Sequence, residues 1–329
     1  MLFLLVGMQP CFGLNITVSG PNSIANHQRF SSGTLAIFGG AGPGDTPVAN
    51  TNLFGVGKSL DFSGVGWTNQ SPQRRHITMI TDQHFVAANH FQPSGQVAFL
   101  NRDGVLKEYT IGATQFFITD SGTSETVDLY VGKLTTAIPA SDKITAYPIL
   151  DRSVPNLAAD APQLILYGKD DNRDNSPLIG LNDFEGYNLI DITNPGDDLT
   201  ETFAIRVEDN QSNGEAQGET GDSGGPSFIL YNDQLTLAGI HSAIDTTSNP
   251  DATFDASFAA YRSAVETILT ADGGAVLGSV AFSGAGLYNT IVPIPEPRFV
   301  GLFMGLLGLA GVWVGRRGRR ASFVGRSFF

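Results

Sequence analysis

The sequence predicts an all-β protein of the extracytoplasmic kind, and three observations carry that expectation. Glycine is abundant, at 39 of 329 residues, and only 16% of residues are charged. The apolar runs are short and broken by Gly, Asn, Asp and Pro, which is the punctuation of strands and turns. No long helical period appears before residue 255.

In chain order, residues 1–14 are apolar, with the small residues Cys11 and Gly13 placed as they are before a signal-peptidase cut but with no basic n-region. They read as a signal peptide whose start lies upstream, or else as an apolar first strand. The middle of the chain is long enough for two small barrels with a cleft between them, divided as 33–150 and 151–271. The clearest helix falls at 257–269, where Phe258, Tyr261, Val265, Ile268 and Leu269 recur at three- and four-residue steps. Residues 272–291, rich in Gly, Ala and Ser, read as a tether. Residues 292–297, Val-Pro-Ile-Pro-Glu-Pro, lead into an apolar run at 299–314 and then Arg316, Arg317, Arg319 and Arg320. With Gly315 and snorkelling arginines that run is long enough for one transmembrane helix, its basic end in the cytoplasm and the rest of the chain across the membrane.

The formal net charge is −13, and because residues 298–329 hold six arginines and no acid, residues 1–297 carry −19. Such an anionic surface repels phosphate backbones and excludes a nucleic-acid partner. A single cysteine, Cys11, excludes an intrachain disulfide. No paired histidines stand at ligand spacing, and Asp170-Asp171 and Asp197-Asp198 read as solvated turns, so neither metal nor cofactor is expected.

The chemistry is concentrated at residues 221–226, Gly-Asp-Ser-Gly-Gly-Pro. A serine hydroxyl is a poor nucleophile; it needs a base for its proton and preset donors for the oxyanion that forms on attack. Gly221 and Gly224 let the backbone bend tightly, so that a substrate carbonyl can approach the amides of Gly221 and Ser223. A polar glycine turn would look similar. Gly221, Ser223 and Gly225 also satisfy the Gly-x-Ser-x-Gly elbow of α/β-hydrolases, but that arrangement places an acid and then a histidine after the serine. Only His241 follows Ser223, 18 residues on, so the base is sought upstream among His27, His76, His84 and His90.

His90 alone sits in a suitable segment, Phe-Val-Ala-Ala-Asn-His-Phe at 85–91. With the hexapeptide, this segment resembles the trypsin-like serine protease family, which runs His, Asp, Ser and delivers its histidine from an apolar strand into a short helical turn. Asn89 and Phe91 depart from the family pattern, Phe91 standing where many animal members have a disulfide-bonded cysteine. Residues 128–134, Asp-Leu-Tyr-Val-Gly-Lys-Leu, are similar to the family's strand opened by the orienting acid. Asp128 lies 38 residues after His90 and 95 before Ser223. Asp103 and Asp120 compete for that role from polar loop contexts.

The resemblance implies two six-stranded antiparallel β-barrels with the active site in their cleft and a short C-terminal helix. It implies a serine endopeptidase acting on protein or peptide substrates through His90, Asp128 and Ser223, with the amides of Gly221 and Ser223 as oxyanion hole. Gln217, six residues before the nucleophile, would form the pocket floor, and the absence of aspartate there argues against cleavage after Lys or Arg. Ser242, Ala243 and Ile244 would line the substrate, with Ile244 narrowing the entrance. His241 falls where glutamate-specific members carry a pocket histidine, which would bind an acidic side chain. In secreted animal members the aspartate equivalent to Asp222 pairs with an amino terminus freed by cleavage; residues 37–40, Ile-Phe-Gly-Gly, resemble such a terminus but follow Leu35-Ala36 rather than a basic residue. The pattern at 292–320 resembles the PEP-CTERM sorting signal of Gram-negative bacteria, which exosortase-type transpeptidases remove; a plain membrane anchor is the alternative. The implied location is the periplasm, outer surface or extracellular matrix. A catalytically silent surface or binding protein that keeps the fold is the competing class.

Overall fold

The computed structural model describes residues 14–16, 24–32, 47–68, 75–120, 125–168, 176–192, 200–208, 215–219, 221–246, 250–283 and 288–291. The expected sorting signal at 292–320, the Ile-Phe-Gly-Gly stretch at 37–40 and residues 1–13 lie outside the described residues.

Three short strands precede the first barrel: β1 (Asn15–Ile16), β2 (Phe30–Ser32) and β3 (Val48–Ala49). Six strands then close on themselves in the order β4-β5-β6-β9-β8-β7: β4 (Val65–Thr68), β5 (His76–Met79), β6 (His84–Ala87), β7 (Gln96–Leu100), β8 (Leu106–Thr119) and β9 (Thr126–Leu134). Strand periodicity explains why β6 and β9 read as nearly unbroken apolar runs. Phe85, Ala87 and Tyr130 point into the barrel's own core with Val97 and Phe99, while Val86, Ala88, Val127, Leu129 and Val131 face a second core shared with the rest of the molecule. Gly132 is required where these strands pair, because a Cβ there would lie 2.2 Å from the Phe85 ring.

The second unit departs from the expected six-stranded barrel. Its strands are β10 (Ile149–Asp151), β11 (Gln163–Gly168), β12 (Leu178–Asp183), β13 (Gly186–Ile192), β14 (Thr200–Glu208), β15 (Ala216–Gln217), β16 (Pro226–Tyr231), β17 (Gln234–Asp245), β18 (Ala252–Ser257) and β19 (Ser279–Ala281). Nine of them, all but β15, form one sheet whose main path, β12-β11-β16-β17-β18-β14-β13, is not closed by a ladder. The hairpin partner β13 lies on the free side of β14, leaving β12 and β14 unpaired with each other. A side chain bridges that gap: Asn182 Nδ2 donates to the carbonyls of Glu208 and Ala216 at 2.9 and 2.8 Å.

Helices are two, α1 (Val154–Asp160) and α2 (Phe258–Ala271), among the described residues. The periodicity at 257–269 places α2 to within two residues, and Phe258, Tyr261, Val265 and Leu269 are its buried face. The stretch α1 has no such period and is too short to announce itself. Phe228 on β16 ties the two units together, its ring 4.8 Å from Tyr147 and 6.0 Å from Phe62.

Both flanks of the barrels are more tightly held than their composition suggests. Residues 272–291 are not a free tether where they are described. Asp272 accepts from His84 and Lys133 of the first barrel at 2.8 and 2.6 Å, β19 pairs in parallel with β10, and Leu277 and Ile291 are buried. Leu277 and Ile291, with the partly buried Val280, Phe282 and Tyr288, dock the segment on the core. At the other end, β1 pairs with β15, and buried Arg29 donates to the carbonyls of Phe62 and Val65 and to the Tyr167 hydroxyl. Among the described residues no helix is long and apolar enough to cross a membrane.

Candidate active site

Three side chains far apart in sequence meet between the two units. Strand β6 ends at Ala87, and the next turn, Asn89–Phe91, is a single 3-10 turn that turns His90 toward the second unit. Asp128 is the third residue of β9, the neighbour of β6, and is 1% exposed. Its carboxylate is fully used: Oδ1 accepts the His90 backbone N–H at 2.7 Å and Oδ2 lies 2.7 Å from His90 Nδ1. On the far side of the ring, His90 Nε2 lies 2.8 Å from Ser223 Oγ. A carboxylate on Nδ1 leaves Nε2 free to accept a proton, so this arrangement activates a hydroxyl. Asp103 instead pairs with Lys143 at 2.7 Å and Asp120 sits at the β8–β9 turn, so neither competes for the imidazole.

The turn carrying Ser223 is shaped by its glycines. Gly221 has φ +102° and Gly224 has φ +87°, backbone that a side chain would strain. Gly224 also packs against the first barrel, where a Cβ would lie 3.2 Å from the His76 carbonyl. The turn is laced by backbone bonds from Asp222 N–H to Glu219, Gly225 N–H to Asp222 and Gly224 N–H to His241. Among the described residues, the amides of Gly221 and Ser223 donate to no acceptor. Two free amides beside a nucleophile are what an incoming oxyanion needs.

A pocket of about 150 Å³ opens beside Ser223, lined by Gly218, Glu219, Gly221, Asp222, Ser223, His241, Ser242, Ala243, Ile244 and Thr253. Ser242, Ala243 and Ile244 are thus among the residues lining this pocket. A bulge in the β17–β18 ladder leaves Ser242 unpaired between His241 and Ala243, which re-aims the strand beside the nucleophile. Gln217 does not line the pocket. It lies buried on β15, paired with Asn15, and the base is closed by Gly218 N–H donating to Thr253 Oγ1 at 2.8 Å. Counting six residues back from the serine passes Gly218, which still lines the cavity, and lands one residue further in β15.

Asp222 is buried, its Oδ2 accepting from Glu219 N–H at 2.9 Å. His241 reaches Asp255 on β18 through Nδ1, with 2.5 Å between nitrogen and oxygen. Sequence reading misses Asp255, whose place opposite His241 is set by the β17–β18 register. It also misses Thr202 on β14, whose hydroxyl accepts the Asp128 backbone N–H at 2.9 Å from the other unit.

These parts define a β-rich chain with a Ser–His–Asp hydrogen-bonded row at the junction of a closed barrel and a second sheet. No family model and no curated protein matches the sequence. Among solved structures the chain is similar to neuropsin, a serine protease expressed in the limbic system of mouse brain, with a TM-score of 0.44 and 13% identity, covering 63% of this chain and 94% of that one.

Proposed function

We propose that the protein is a serine endopeptidase of the trypsin-like kind, and the observation that carries this is the continuous row Asp128–His90–Ser223 with contacts of 2.7 and 2.8 Å. Ser223 Oγ attacks the scissile carbonyl while His90 Nε2 takes its proton, and Asp128 keeps the ring oriented and stabilises the imidazolium. The amides of Gly221 and Ser223 receive the negative charge on the carbonyl oxygen. His90 then returns the proton to the leaving amine, and water releases the acyl group from Ser223 by the same steps in reverse. The strand stretch Ser242–Ala243–Ile244 borders the pocket and supplies backbone groups along which an extended peptide lies. A fluorophosphonate probe is expected to label the protein on Ser223, located by mass spectrometry of the labelled peptide; absence of label from folded protein would favour a silent binding protein.

The pocket is set against acidic side chains. His241 is engaged by Asp255, and Glu219 and Asp222 line the same cavity, so an acidic side chain would enter among carboxylates. Profiling with a mixed peptide library is expected to show few cuts after Glu or Asp. A dominant preference for Glu would return His241 to substrate recognition. We further propose that the protein is exported and that residues 292–320 act as a sorting signal processed by an exosortase-type enzyme after transient membrane anchoring, a reading supported by the Pro-Glu-Pro, apolar and arginine sequence pattern.

A further inference from the structure

Beneath the nucleophile turn lies a group of ionisable side chains that the proton-transfer row does not use. His241 is 3% exposed, Asp255 0% and Asp222 1%. Cross-strand register sets Asp255 directly opposite His241 and joins it to Nδ1. The opposite edge of the ring faces the turn: a Cβ on Gly225 would lie 2.9 Å from His241 Cδ2, 2.4 Å from the Tyr167 carbonyl oxygen and 3.0 Å from that of Asp222. Gly168 presses on the Asp222 carboxylate from the other side, where a Cβ would lie 2.7 Å from the carboxyl carbon. The turn is also fastened to the His241 backbone, since Gly224 N–H donates to its carbonyl at 2.9 Å and its own N–H donates to Gly225 at 2.8 Å.

One imidazole is thus bonded to the buried carboxylate of Asp255 and packed against the turn that carries buried Asp222, and a buried carboxylate is costly without positive charge nearby. His241 Nε2 makes no hydrogen bond among the described residues, so toward the turn it acts by charge rather than by a directed bond. Among the described residues, no lysine or arginine lines the adjoining pocket. The groups facing the ring are Asp255 from β18, Asp222 from the turn, the Tyr167 carbonyl from β11 and, at the pocket, Glu219.

We propose that His241 is a built-in counter-charge for the nucleophile turn: oriented by Asp255, it holds Asp222 in place and so sets the amides of Gly221 and Ser223, with no freed amino terminus required. The catalytic consequence rests on the serine-endopeptidase reading; the charge arrangement does not. Burial pushes His241 down, but the charge of Asp255, the hydrogen bond to it and the charge of Asp222 reverse this and hold the imidazole above its ordinary value. A basic group raised on folding stabilises the fold fully below the ordinary histidine value of about 6.5, and that contribution disappears as pH rises through the folded value.

The test has two arms. In a Ser223→Ala background, urea midpoints followed from about pH 5 to about pH 10 are expected to fall as pH rises above the ordinary histidine value of about 6.5. His241→Gln should lower the midpoint at acid pH and flatten this fall, and Asp255→Asn should move it to lower pH. In the active protein, either substitution should slow fluorophosphonate labelling about tenfold or more, as weakened oxyanion donors do. Protein carrying an uncleaved N-terminal fusion should label at the full rate. A pH dependence unchanged by both substitutions, or labelling only after N-terminal trimming, overturns the proposal. Should His241→Gln fail to fold, the Asp255→Asn shift decides. Wild-type protein that shows the expected stability profile yet never labels would sink the endopeptidase reading and leave the counter-charge standing.

Discussion

Replacing Ser223 with alanine is expected to lower peptide hydrolysis on the order of 10⁶-fold while leaving the fold intact. The hydroxyl is half-exposed at the tip of its turn, and the turn's shape comes from Gly221, Gly224 and the backbone bonds to Glu219 and His241, none of which the substitution touches. With Oγ gone, His90 loses the group it deprotonates and no acyl intermediate forms. What persists is positioning by the pocket and the two free amides, which alone accelerate the reaction over water by about 10³- to 10⁴-fold. Steady-state hydrolysis of a peptide ester, with matched thermal unfolding of the two proteins, measures this. Activity within tenfold of wild type would remove Ser223 from the chemistry.

Asp128→Asn is expected to reduce kcat by about 10⁴-fold with little change in KM or stability. Both carboxylate oxygens accept hydrogen bonds, one from the His90 backbone and one from Nδ1. An asparagine has one acceptor oxygen. If it keeps the backbone bond, its NH₂ faces Nδ1 and forces the ring to place its proton on Nε2, where it meets Ser223 as a donor and cannot take the hydroxyl proton. The substrate pocket lies on the other side of Ser223, so binding is spared. Titrating kcat and KM separately in the variant checks the split. A KM effect with kcat preserved would show that Asp128 shapes the cleft rather than the base.

How much of this could be read from the chain depends on how local each signal is. The nucleophile turn is local, since positive φ and close backbone approach oblige glycine at fixed positions around Ser223. The His90 and Asp128 segments are nearly local, because β6 and most of β9 are buried and so stand out as apolar runs, one just before His90 and one just after Asp128. The helix α2 declares itself by period. Long-range partners left no such trace. Asp255 and Thr202 act through pairings set by the whole sheet, and Gln217 sits where a turn of unknown shape delivers it. The hairpin β13–β14 reads as two ordinary strands, yet its outward pairing is what keeps the second sheet from closing as a barrel. The described parts of 14–32 and 272–291 carry few apolar groups, and their docking is decided by surfaces assembled from distant parts of the chain.

The pairing of β1 with β15 and the clasp of Arg29 on Tyr167 also bear on when, during synthesis, this molecule can exist. Residues near the amino end have no place to settle until strands from the second half have been made, and the end of α2 must still arrive to meet His84 and Lys133. Contacts so remote in sequence form late and slowly. A nascent chain emerging from the ribosome therefore carries His90, Asp128 and Ser223 as separate segments, and the row they form is complete only once the second half of the chain has joined the first.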